Sequence, residues 1–102
     1  MKANAIDAWT ALGDPSRRQI VERLAQQPST VAELTRELPL SQPAISQHLK
    51  VLREADLVAY TAAGARHVYR VRADGLAALR ADLDRFWGAA LQNFQRIAEE
   101  ER

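Results

Sequence analysis

The chain has 102 residues, the usual size of one domain, and 47% of them are hydrophobic although only two each are Trp, Tyr and Phe, which predicts one core of mainly aliphatic side chains. Cysteine is absent, which excludes disulfide stapling, thiolate metal sites and cysteine catalysis. The net charge of +1 is unevenly spread: Lys50, Arg53, Arg66, Arg70 and Arg72 outnumber Glu54 and Asp56 in the middle of the chain, while acids prevail after residue 72, so a polyanionic partner suits the middle alone.

Ala5, Ile6, Ala8, Trp9 and Leu12 recur at helical spacing and predict a first helix over 4–12, ended by Gly13. Asp14-Pro15 then supplies an N-cap and a proline at the first helical position, and Ile20, Val21 and Leu24 mark the buried stripe of a second helix reaching about Gln27. Thr30-Val31-Ala32-Glu33 has the spacing of a capping box and opens a short third helix that runs to about Glu37. Leu38-Pro39-Leu40 breaks it, and Ser41 caps a fourth helix in which Pro43 is tolerated in the first turn. That helix runs to about Ala55, and Asp56 takes the left-handed exit where glycine is commoner.

Val58-Ala59-Tyr60-Thr61 and His67-Val68-Tyr69-Arg70-Val71 are β-prone runs about the small-residue tip Ala62-Ala63-Gly64-Ala65-Arg66, a hairpin in which Val68 alternates with His67 and Tyr69, so that one face is buried and one wet. From Asp74 to about Glu99 there is no proline. Leu76, Leu79, Leu83, Phe86, Ala90, Phe94 and Ile97 recur three or four apart, widened by Trp87 and Leu91, which predicts a long amphipathic helix over 74–99. The expected fold is mainly α with a small β-hairpin, in the order α-α-α-α-β-β-α, as a single domain over 1–102. No repeat, secretion signal or eighteen-residue apolar run is visible, so a cytoplasmic protein without a membrane partner is expected.

On a helical wheel, Ile45, Leu49 and Leu52 of the fourth helix fall together, with Pro43, Ser46, Gln47 and Lys50 opposite. Ser and Gln pair with base edges and Lys neutralises phosphate, and no acid appears on that side before Glu54. A short helix, a tight turn and a second helix with such a face form a helix-turn-helix over 30–55. With the hairpin over 58–72 as a wing, this is a winged helix-turn-helix whose recognition helix enters the major groove of double-stranded DNA. The candidate DNA-contacting residues are Ser41, Gln42, Pro43, Ser46, Gln47, His48 and Lys50, with Arg66 and His67 from the wing. His48 lies off the buried centre and reads equally as a brace for the helix or as a DNA contact; His67 reads equally as an exposed strand residue.

The last helix carries more apolar surface than a short first helix can cover. Ile6, Trp9, Leu79, Leu83, Phe86, Trp87, Leu91 and Phe94 are therefore the candidate contacts of a homodimer. A small-molecule effector among the aromatic residues of that interface is left open. Neither histidine has a serine or acid at catalytic spacing, so no catalytic residue is assigned and an enzyme is not expected.

The stretch Ala11-Leu12-Gly13-Asp14-Pro15-Ser16-Arg17-Arg18, and above all Ser41-Gln42-Pro43-Ala44-Ile45-Ser46-Gln47-His48-Leu49, resembles the ArsR family of bacterial winged-helix regulators over about residues 6–72. The resemblance implies a homodimeric, usually repressing, operator-binding protein with dimer contacts from its first and last helices. Metal-sensing members carry a cysteine pair in the third helix, where this chain has Thr30-Val31-Ala32-Glu33-Leu34, or His and Asp ligands in the last. Here the last helix has no histidine, and Asp82 and Asp84 alone make a poor transition-metal site, so no metal or other cofactor is expected. The competing reading is a winged-helix module that docks proteins and no longer binds DNA.

Overall fold

The computed structural model describes residues 6–101. Five helices and one hairpin follow in the order α1 (Ala8–Ala11), α2 (Pro15–Gln26), α3 (Val31–Glu37), α4 (Gln42–Glu54), β1 (Val58–Ala63), β2 (Arg66–Val71) and α5 (Ala73–Glu100). No helix among the described residues is long and apolar enough to cross a membrane.

Side-chain caps set most of these boundaries. Asp14 accepts from the amides of Ser16 and Arg17 at 2.8 and 3.2 Å, with Pro15 behind it. Thr30 and Glu33 form the reciprocal capping box, which satisfies two amides that the first turn leaves unpaired. Ser41 Oγ accepts from the Ala44 amide at 3.3 Å. Asp56 leaves α4 at φ 61°, a left-handed conformation that aspartate tolerates better than most side chains.

The first helix is shorter than its apolar spacing suggests. Asp7 accepts from the Thr10 amide at 2.7 Å and is the N-cap, so α1 starts at Ala8; residues 4 and 5 of the expected helix lie outside the described residues. Arg17 Nε and Arg18 donate back to the carbonyls of Ala11 and Leu12, both at 2.7 Å, and fix the corner between α1 and α2. Ile20, Val21 and Leu24 of α2, Leu34 of α3 and Ile45, Leu49 and Leu52 of α4 then close on Ala11, Leu57, Val58 and Tyr69 as one core. Each large side chain withdrawn from water there stabilises the fold by about 1.5–3 kcal/mol.

The hairpin has a tighter tip than expected. Its strands pair antiparallel from Val58↔Val71 to Ala63↔Arg66, leaving a two-residue tip in which Gly64 has φ 64°. That is the position where a tight hairpin turn requires positive φ, and glycine takes it without strain. Of the two faces of β2 the Tyr69 side is the inner one: Tyr69 is buried and Val68 half-buried. The cause is non-local. Ser29, between α2 and α3, makes a β-bridge to Tyr69 through backbone bonds of 3.0 and 2.8 Å, which turns the Tyr69 side into the core.

Helix α5 has 28 residues and buries none of them. Its start is held at the exit of α4. The Arg72 amide donates to the Leu57 carbonyl at 2.8 Å, and its guanidinium bridges Asp56 at 3.2 Å and Asp74 at 2.7 Å. A methyl placed on Gly75 would sit 1.9 Å from the Asp56 carbonyl oxygen, so glycine is required for the contact itself.

Several carboxylates titrate below their ordinary range. The Thr10 amide does this for Asp7, the Arg17 amide for Asp14, the Thr30 amide for Glu33, the Arg23 guanidinium for Glu37 and that of Arg72 for Asp74. A depressed folded-state pKa contributes stability that is present above the unfolded value and lost as pH falls through the folded one. The melting temperature is therefore expected to be flat near neutrality and to fall once the pH drops through the carboxylate range. Asp14→Asn keeps a capping oxygen but removes its titration, and should give a shallower acid limb in thermal melts followed by circular dichroism.

Candidate nucleic-acid interface

Helix α3 packs on α4, and α4 on α2 and α1, so the recognition helix is supported along one side only. Ile45, Leu49 and Leu52 face that support and are buried, while Gln42, Pro43, Ser46, Gln47 and Lys50 are exposed on the outer side. Pro43 lies in the first turn, where its missing amide hydrogen leaves nothing unpaired. Ser41 is also exposed, but its hydroxyl is occupied in the cap. The outer face therefore offers two amide side chains, one free hydroxyl and one ammonium group, without an acid among them.

His48 is half-buried. Arg66 and His67 are exposed at the far end of the hairpin. The starts of α3 and α4 and the tip of the wing meet in a cleft of about 280 Å³, lined by Thr30, Val31, Ala32, Gln42, Arg66 and His67 among others. Gln42, Arg66 and His67, separated by up to 25 positions along the chain, therefore share one concave surface.

One cluster was absent from the sequence reading. The His67 ring stacks on Tyr60 with centroids 4.0 Å apart and planes within 16°. Tyr60 lies 5.4 Å from Tyr69, its cross-strand partner, and the Arg53 guanidinium sits 4.8 Å from the Tyr60 centroid. The last turn of α4 is thus tied to the wing by an arginine over an aromatic face, an attraction that adds about 0.5–1 kcal/mol at exposed sites. Only the hairpin register could have signalled it, because register alone brings Tyr60, His67 and Tyr69 together.

On the far side of the molecule Trp9 meets Phe86 edge-on at 6.5 Å, and Phe86 meets Trp87 at 5.4 Å. Phe86, Trp87, Leu91 and Phe94 are 53–71% exposed, with Leu83 and Ile97 less so. Leu79 is half-buried, and Ile6 packs partly against the core instead of standing free. The aromatic rings form an open ridge. Among the described residues no three His, Asp or Glu side chains converge as metal ligands.

Comparison with known proteins agrees with this architecture. Residues 14–60 match the profile of bacterial regulatory proteins of the arsR family. The HTH-type transcriptional regulator Rv2034 of Mycobacterium tuberculosis is 56% identical over 94 residues, spanning 92% of this chain and 88% of that protein. Two solved structures superimpose closely. A possible transcriptional regulator for arsenical resistance has a TM-score of 0.74 at 43% identity, over 80% of this chain and 85% of its own. An ArsR-like transcriptional regulator from Rhodococcus sp. RHA1 has a TM-score of 0.75 at 29% identity, over 90% and 87%. With its winged helix-turn-helix, its capped recognition helix and this degree of likeness, the chain belongs to the ArsR family of DNA-binding transcription regulators.

Proposed function

We propose that this regulator works in the cytoplasm as a homodimeric repressor, paired through α1 and α5 and bound to a two-fold symmetric operator. The observation that carries the DNA side of this reading is the outer face of α4, which holds Gln42, Ser46, Gln47 and Lys50 and continues through a shared cleft to Arg66 and His67. Amide side chains read base edges in the major groove, and the cations engage phosphates. The pairing is supported by the exposed apolar ridge of α5, and a symmetric pair would set two recognition helices about 34 Å apart, one turn of the duplex. Repression follows the family resemblance.

The two kinds of contact separate by experiment. Lys50→Ala should weaken binding to every duplex alike and reduce the salt slope by about 1, whereas Gln47→Ala should cost about 1–3 kcal/mol on the preferred sequence and relax the choice at one base pair. Fluorescence anisotropy on a duplex selected from a random pool, repeated across salt concentrations, gives both readouts. Unchanged affinity in both variants, or no preference for any duplex at low salt, would overturn the reading and leave protein docking as the role of this face.

A further inference from the structure

Opposite the wing cleft lies a second concavity, of about 660 Å³, walled by the end of α2, the end of β2 and the first two turns of α5. Leu24, Pro28, Val71 and Leu76 give it an apolar floor, Ala25, Ala73 and Ala77 keep it open, and Arg70 and Arg80 stand within it. The volume falls in the range of about 300–1,000 Å³ typical of small-molecule sites, which combine apolar walls with a few fixed polar groups.

The groove carries positive charge that no acid of its own offsets. Arg17, Arg23, Arg72 and Arg85 each pair with a carboxylate. Neither groove arginine has such a partner among the described residues, and no acid lines the groove. The Arg70 guanidinium donates to Thr61 Oγ1 at 2.8 Å, which holds the group in place without neutralising it. Two uncompensated guanidinium groups beside an apolar floor complement one kind of molecule: an organic anion with a hydrocarbon body. Guanidinium binds carboxylate with charge-assisted, often paired hydrogen bonds.

We infer that this groove is a binding site for a small amphipathic carboxylate, its hydrocarbon part laid on Leu24, Pro28, Val71 and Leu76 and its carboxylate held by Arg70 and Arg80. The site is separate from the ring ridge of α5, which begins beyond it, and from the DNA-facing side of α4. Its existence does not rest on the operator reading, and it is tested without DNA.

Octanoate is the probe, with 1-octanol and inorganic phosphate as controls that keep only the chain or only the charge. Amide chemical shifts of the ¹⁵N-labelled full chain report where each binds. Octanoate should perturb Ala25, Val71 and Ala77 saturably, with octanol and phosphate at least tenfold weaker. Arg70→Gln with Arg80→Gln should lower octanoate affinity at least tenfold, and Ala77→Trp should abolish it by filling the groove, both variants keeping the helical circular dichroism of the parent. Octanol binding as tightly as octanoate, phosphate perturbing the same amides as strongly, shifts confined to the ridge around Phe86 and Phe94, or an arginine-depleted variant of unchanged affinity would each overturn the assignment.

Discussion

Trp87→Glu is expected to convert the protein from a dimer to a monomer and to weaken binding to a symmetric operator by roughly 10²–10⁴-fold, the gain that joining two binding modules typically provides. The reason lies in α5. Phe86, Trp87, Leu91 and Phe94 are 58, 53, 61 and 71% exposed, all along one helix that buries no residue in its own chain. Monomeric proteins rarely leave contiguous apolar surface of this kind open, since its largest patches are usually interaction sites. A carboxylate set into the middle of that ridge would have to be desolvated without a partner on every encounter between copies.

Because Trp87 contributes nothing to the core, the winged domain should survive the change. The second half of α5, deprived of a packing surface, should fray, as isolated helices of that length are marginal in water. Light scattering with size exclusion gives the mass, far-ultraviolet circular dichroism the lost helix, and anisotropy on whole and half operators the affinity. Half-operator binding should be unchanged. A variant that stays dimeric, or a parent chain that is monomeric at micromolar concentration, would dispose of the pairing.

The second large effect sets two glycines of one helix against each other. Gly75→Ala puts a methyl 1.9 Å from a backbone carbonyl oxygen. Backbone cannot swing aside as a long side chain can, so the first turn of α5 must lift from the α4 exit and strain the Arg72 bridge to Asp56. Overpacking of this kind destabilises by about 1–3 kcal/mol or more, and each kcal/mol lowers the melting temperature by roughly 4–8 °C in a domain of this size. A methyl on Gly88 meets nothing within 4 Å, and there alanine should stabilise the helix by up to about 1 kcal/mol. Thermal melts at one fixed protein concentration compare the pair. Equal shifts of the same sign would mean that the Gly75 contact is unimportant.

How much of this was legible beforehand depended on the range of the interactions involved. The caps at Asp14, Thr30, Ser41 and Asp56 were readable because each is a local bond between a side chain and the backbone within a few residues. Helix α5 was readable because its apolar spacing persists over many turns. The start of α1 was misplaced because apolar spacing was weighed above the cap that Asp7 provides. The inner face of β2 was not readable, because alternation along a strand gives two faces without saying which is inner. Ser29, distant in sequence, decides that through its bridge to Tyr69.

The candidate site divides in the same way. The outer face of α4 followed from the helical wheel, and the structure leaves Gln42, Ser46, Gln47 and Lys50 exposed as expected. The joining of Gln42 to the wing tip across one cleft, and the arginine groove behind α2, each depend on elements far apart in the chain. Neither could be reached from spacing alone.

The corner where Arg72 and Gly75 meet Asp56 also acts as a ruler. Although the whole hairpin separates them in the chain, the exit of α4 and the first turn of α5 are held together in space, so the angle between reader and ridge is set by one steric contact and the ion bridges of Arg72. In a paired molecule that angle, counted once in each copy, determines how far apart the two readers stand. Inserting a single residue between β2 and α5, which displaces Gly75 from Asp56, would shift the operator spacing the protein accepts while leaving every base-reading side chain unchanged.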